Sequence, residues 1–213
     1  MSRPFTRHLT FQSNDLGKEV TIMLALVDEN MQSLYKDRFP VVWKVSKFGQ
    51  SGPYRAQAIY TNQLAFCKAQ LTDGNFISAG TSVKVNVGQK ITLTEANDVF
   101  SFSSPSQGSS GFVQALNQTG ALQDIAVGFL NKGDFMPTPA LYFDEVGDGS
   151  HVTAQFTPIL RAYITSDYQE TSIIRGAIET PVIWKQDLSV LAENTVWNLK
   201  RDGVTGRYTI THA

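Results

Sequence analysis

Short runs in which apolar and polar residues alternate recur along the whole chain, each bounded by Gly, Pro, Asn or Asp. A period of two places every second side chain on one face of an extended strand, so a chain built from such runs must bury one face of many short ribbons. Ser82-Val83-Lys84-Val85-Asn86-Val87, closed by Gly88, is the clearest run. The same reading predicts strands over 20–27, 40–45, 54–61, 90–94, 99–103, 125–130, 140–143, 151–156 and 208–211, all rich in the β-branched and aromatic residues that suit a pleated surface. Asp148-Gly149 and Asp202-Gly203 predict tight hairpins, because Gly adopts the positive φ such turns require. Helical periodicity is weak throughout. Its best stretch, 186–193, is short enough to be a turn and a strand.

Composition points the same way. Charged residues make up only 17% of the chain, whereas helices usually carry a solvated face of Lys and Glu. Eighteen basic residues against nineteen acidic ones leave a net charge of -1, with Lys and Arg scattered singly. No basic stripe is therefore available for phosphates, and nucleic acid is not expected as a partner.

Laying the second half of the chain under the first, with gaps confined to turns, brings like residues together in the same order. Val20, Ile22 and Leu24 fall on Ile125, Val127 and Phe129; Pro40 falls on Pro139, and Trp43 on Tyr142. Ala56-Gln57 meets Ala154-Gln155, Thr81 and Val83 meet Thr180 and Val182, and Asn97, Val99 and Phe100 meet Asn194, Val196 and Trp197. The expectation is an all-β fold of two related β-sandwich halves of immunoglobulin-like type, 1–110 and 111–213, packed as one rigid body. One larger β-sandwich or a barrel is the alternative. On this alignment the Ser-rich stretch 101–111 is a hairpin turn rather than a linker. Residues 111–116 match both 206–211 and 5–11, which predicts a continuous strand joining the halves.

The single cysteine, Cys67, forbids an internal disulfide and reads as a buried small hydrophobe. The polar start, Met1 to His8, leads into no apolar stretch of the kind a secretory signal needs, so a cytoplasmic location is expected. Asn117-Gln118-Thr119 fits the glycosylation sequon, which a chain in that compartment does not use.

Two polar segments are candidate sites. Asp144, Glu145, Asp148 and His151 place three carboxylates and an imidazole in one predicted turn, the oxygen-rich donor set a hard cation takes, although the spacing is not that of a known calcium loop. In Thr165 to Thr171, the residues Asp167, Tyr168 and Gln169 combine a ring to stack on with side chains that hydrogen-bond hydroxyls, the groups a sugar site uses. Trp184 joins them as a candidate ligand ring, because it aligns with the smaller Val85 and its size has no evident packing reason. Trp43 and Trp197 fall where strand aromatics recur and read as core.

No Gly-x-Ser-x-Gly elbow, phosphate-cradling glycine loop or Cys-x-x-Cys pair is present, and no cofactor is implied. The expected function is a non-enzymatic binding protein that recognises a glycan or another exposed ligand through its loops. In general character such a chain is similar to cytoplasmic fungal lectins and defence proteins, though no motif carries the likeness. The alternatives are a pore-forming or membrane-associating β protein, and an enzyme with an acid/base pair near His151. Exposed edge strands are compatible with a homodimer.

Overall fold

The computed structural model describes residues 5–27, 36–155 and 157–213. Its strands in chain order are β1 (Thr6–Asn14), β2 (Val20–Leu26), β3 (Arg38–Pro40), β4 (Val42–Phe48), β5 (Pro53–Thr61), β6 (Leu64–Thr72), β7 (Phe76–Val85), β8 (Gln89–Ala96) and β9 (Val99–Phe102). They continue as β10 (Ser106–Gln107), β11 (Val113–Gln118), β12 (Gln123–Phe129), β13 (Thr138–Val146), β14 (His151–Ala154), β15 (Ile159–Ile164), β16 (Val182–Asp187), β17 (Asn194–Arg201) and β18 (Tyr208–His212). Among the described residues the only helical element is a 3-10 turn at Leu188–Val190, within the stretch whose helical period is weak. Residue 156, the predicted end of the 151–156 strand, lies outside the described residues, as do Met1 to Pro4.

Among the described residues the strands form four sheets, and none closes into a barrel. The first has the order β18-β17-β1-β5, and the second β10-β8-β11-β14 with β9 also on β8. The third is β16-β15-β2-β4 and the fourth β3-β13-β12-β6-β7. The first sheet packs on the third: Trp184 of β16 meets Phe11 of β1 and Trp197 of β17 edge-on, with ring centroids 5.5 and 4.9 Å apart. The second approaches the fourth where Lys68 of β6 lies over the Phe100 ring of β9. One buried cluster, including Phe11, Ile22, Trp43, Phe66, Ile91, Ile125 and Phe129, runs through both pairs of sheets. Such face-to-face burial of alternating side chains is what the period-two runs predict.

The chain path is interleaved. Strands β1, β2, β4 and β5 enter the first pair of sheets, β6 to β14 build most of the second, and β15 to β18 return to the first. Spans 1–110 and 111–213 therefore each supply strands to every sheet. The same pairing scheme also occurs twice. β1 runs parallel to β17 and antiparallel to β5, as β11 runs parallel to β8 and antiparallel to β14. β2 lies between β4 and β15, as β12 lies between β13 and β6. The ladders even slip at matching places, between Leu24 and Ala25 in β2 and between Val127 and Gly128 in β12. At the second slip the backbones come so close that any side chain at Gly128 would strike the Thr138 carbonyl.

This scheme sets Leu24 against Val127, two residues from the position sequence alignment assigns, and puts β8 rather than β9 in the place of β17. A shift of two keeps every inward residue inward, so alternation alone does not fix register. Two further expectations are corrected. Asp148-Gly149 is not a hairpin: β13 pairs with β12 and β3, β14 pairs with β11, and the turn carries the chain from one sheet to another. Residues 101–111 do not lead into a continuous strand, since β10 and β11 flank opposite sides of β8 and the segment between them wraps its end, with Gly108 N donating to Gly88 O and Gly88 N to Phe112 O. The Asp202-Gly203 hairpin does form between β17 and β18, but the positive φ falls on Gly206.

Candidate functional site

At the end of β15 the chain leaves its ladder with β2 and turns. Thr165 N donates to Thr21 O at 3.2 Å, and the Thr165 hydroxyl accepts from Asp167 N at 3.2 Å. That turn makes residues 164–167 one wall of an open cleft of about 430 Å³, whose other walls are Lys18 to Thr21 at the start of β2, Thr180 before β16, and Tyr208 at the start of β18. The volume falls within the range of small-ligand sites. Thr21, Thr165, Ser166 and Thr180 are among its lining residues, and Lys18, Glu19 and Asp167 make no ion pair among the described residues. The Thr180 hydroxyl oxygen is buried without a hydrogen-bond partner among the described residues. The half-buried Tyr208 ring is backed by the Arg201 guanidinium, 6.0 Å from its centroid.

Of the candidate ligand residues, Asp167 alone reaches this cleft. Tyr168 packs against the buried cluster of Met23, Ala25 and Val42. Gln169 closes a tight turn, its N donating to Ser172 Oγ and its carbonyl accepting from Ser172 N at 3.1 Å each. The turn is docked on β4 by Thr171 N to Val42 O and by Glu170, which pairs with Lys44 at 3.0 Å. Trp184 is 7% exposed in the core between Phe11 and Trp197 and is not brought to the loop. Its size is explained by the space between the first and third sheets. Trp43 and Trp197 are buried, as the strand pattern predicts.

The four candidate metal ligands are engaged separately. Asp144 Oδ1 accepts from the Tyr142 hydroxyl at 2.8 Å, and its Oδ2 lies 3.9 Å from the Arg175 guanidinium. Asp148 Oδ1 accepts from Gly120 N at 2.9 Å, tying two turns together. Glu145 has a positive φ of 45° and is exposed, and His151 is an exposed strand start opposite Leu116. Among the described residues no three His, Cys, Asp or Glu side chains gather in a way that could hold a metal ion. His8 and His212 are kept apart by β17, which lies between β1 and β18.

The strongly shifted groups are core groups. Burial pushes the Cys67 thiol up to about 12 and raises the Tyr60 and Tyr142 hydroxyls well above the usual tyrosine range, the Tyr142 hydroxyl also being held by its bond to Asp144. Asn117 is 0% exposed and spends its amide on neighbouring turns, so the sequon is enclosed.

Lys18, Glu19, Thr21 and Tyr208 were not singled out by sequence, because their meeting with residue 167 depends on pairings across most of the chain. A larger cleft of about 590 Å³ near Phe5, Lys84, Lys132 and Glu193 has charged rather than hydroxyl-rich walls among the described residues, and the Phe5 ring in it is covered by Arg7 at 4.3 Å. No family model, curated protein or solved structure matches the chain. No helix among the described residues is long and apolar enough to cross a membrane.

Proposed function

We propose that the protein is a non-enzymatic binding protein that takes a carbohydrate in the cleft between the start of β2 and the end of β15. The reading is carried by one observation: Thr21, Thr165, Ser166, Asp167 and Tyr208 line a single open cleft of about 430 Å³. An aromatic ring offers a face to the C–H side of a sugar, while a carboxylate and hydroxyls accept and donate to its O–H groups. A buried free thiol and no disulfide-forming partner for it support a cytoplasmic setting.

The test is a glycan array with the intact protein, followed by titration of any ligand found into the Tyr208→Ala and Asp167→Asn variants. Loss of the ring is expected to weaken binding about tenfold, the scale of one stacking contact of roughly 1 to 1.5 kcal/mol. An array without a single bound glycan removes the proposal, and so does a bound glycan whose affinity neither substitution changes.

A further inference from the structure

We infer that the outer face of the first sheet carries a second and chemically different site, for a tetrahedral oxyanion: a phosphate or sulfate group borne on a small ligand. The inference does not depend on the carbohydrate reading. In the ladders, Gln12 of β1 lies directly opposite Arg55 of β5 on one side and Asn198 of β17 on the other. Residues paired in this way share a face and are spaced by the strand separation of about 4.8 Å, so the three side chains form one short row. Asn14 and Lys200 lie two residues further along their strands and continue the same face. A cleft of about 360 Å³ opens over them, with Ser13 and Tyr54 in its wall.

Among the described residues, every charged group lining this cleft is a cation, Arg55 and Lys200, and no Asp or Glu belongs to it. Both cations are exposed and make no ion pair among the described residues. The local excess does not reflect a basic protein, since the chain carries a net charge of -1. The neutral groups are arranged to donate as well. Gln12 Nε2 donates to Asn198 Oδ1 at 2.8 Å, which uses the acceptor of Asn198 and leaves its amide N–H groups for a ligand. Two unpaired cations and free amide donors in one row, with no carboxylate among the described lining residues, complement an anion rich in acceptor oxygens and disfavour a cationic ligand.

The experiment titrates the intact, isotope-labelled protein with inorganic phosphate, inorganic sulfate, glucose 6-phosphate, glucose 6-sulfate and, as the neutral control, glucose. Amide shifts are followed by NMR in the wild type and in an Arg55→Gln/Lys200→Gln variant whose fold is checked by circular dichroism. Lys200→Gln alone serves if the double variant does not fold. Saturable shifts clustered on residues 12–14, 53–55 and 198–200 are expected with at least one anion. They should weaken at least tenfold in the variant and diminish with added sodium chloride. Comparison of the two esters and two free ions tells which oxyanion is preferred. No saturable shift with any of the four anions overturns the inference, as does equal binding by the variant. Glucose shifting these residues as strongly as its esters also overturns it. Glucose shifts confined to residues 164–167 and 208 report on the other cleft and, with anion shifts here, leave this inference standing.

Discussion

Tyr60 and Phe129 meet edge to face, their ring centroids 4.9 Å apart and their planes at 73°. Tyr60 belongs to β5 in the first pair of sheets and Phe129 to β12 in the second, and Trp43 of β4 approaches Phe129 from the third sheet at 6.3 Å. Phe129, 1% exposed, is thus the point at which the cores of the two pairs become one. Removing its ring in Phe129→Ala is expected to cost about 3 to 5 kcal/mol, the range for a fully buried phenylalanine. Urea unfolding measures it, and a single transition should persist because both pairs lose the same contact. Two separated transitions would show that the cores are independent.

The interleaved path makes a second prediction, about fragments. In residues 1–110 alone, β1 lacks β17, β2 lacks β15, β6 lacks β12 and β8 lacks β11. Each of these strands then exposes a ladder edge, and unpaired edges favour aggregation over folding. The 1–110 fragment should show no cooperative thermal transition by circular dichroism, and mixing it with 111–213 should restore one. A fragment that folds alone would contradict the pairing.

The strands and their faces were legible in the sequence because burial of one face imposes a period of two, and Val83 and Val85 or Ile125 and Val127 display it without reference to anything distant. Pairing was not legible in the same way. Leu24 matches Phe129 as well as it matches Val127 by composition, and only the slip beside Gly128 decides between them. Half of the candidate loop misled for a related reason: Tyr168 is a ring in a polar run, yet the run folds back on β4 and packs it, partly buried, against the cluster of Met23 and Val42. Asp167 was identifiable from its neighbours, whereas Tyr208 reaches the same cleft through the β17–β18 hairpin, which no local signal connects to residue 167.

Alkaline pH should weaken the fold. Cys67 has its ionisation raised to about 12, from the roughly 8.5 of an unfolded thiol, because burial disfavours the thiolate. A group whose folded value is raised contributes its full stability below the unfolded value and loses it as pH climbs toward the folded one. Tyr60 and Tyr142, also raised by burial, act in the same direction from about pH 10, the unfolded tyrosine value. The urea midpoint should therefore fall between about pH 9 and pH 12. At pH near 8, where the folded thiol is protonated, Ellman's reagent should leave Cys67 unmodified until denaturant is added. Rapid modification of the native protein would mean that Cys67 is not enclosed.

Asn117 holds together the turns that pass the chain between the second and fourth sheets. Its Nδ2 donates to Ala121 O at 2.7 Å and Val146 O at 2.8 Å, and its Oδ1 accepts from Thr119 N and Thr119 Oγ1 at 3.1 and 2.9 Å. Its carbonyl accepts from Gly149 N at 2.8 Å, so the residue ties the 119–121 turn to the 146–149 turn from both main chain and side chain. Asn117→Ala keeps the main-chain bond, leaves the Val146 carbonyl without its side-chain donor and opens a gap at a position 0% exposed. About 2 to 3 kcal/mol of stability should be lost, because the uncompensated groups bear the full cost of desolvation. Asn117→Asp should be worse at neutral pH, since the carboxylate faces two carbonyl oxygens as an acceptor against acceptors and is buried as a charge. Paired urea curves for the two variants test the order: an Asp variant as stable as the wild type would show that these turns are not held by the Asn117 amide.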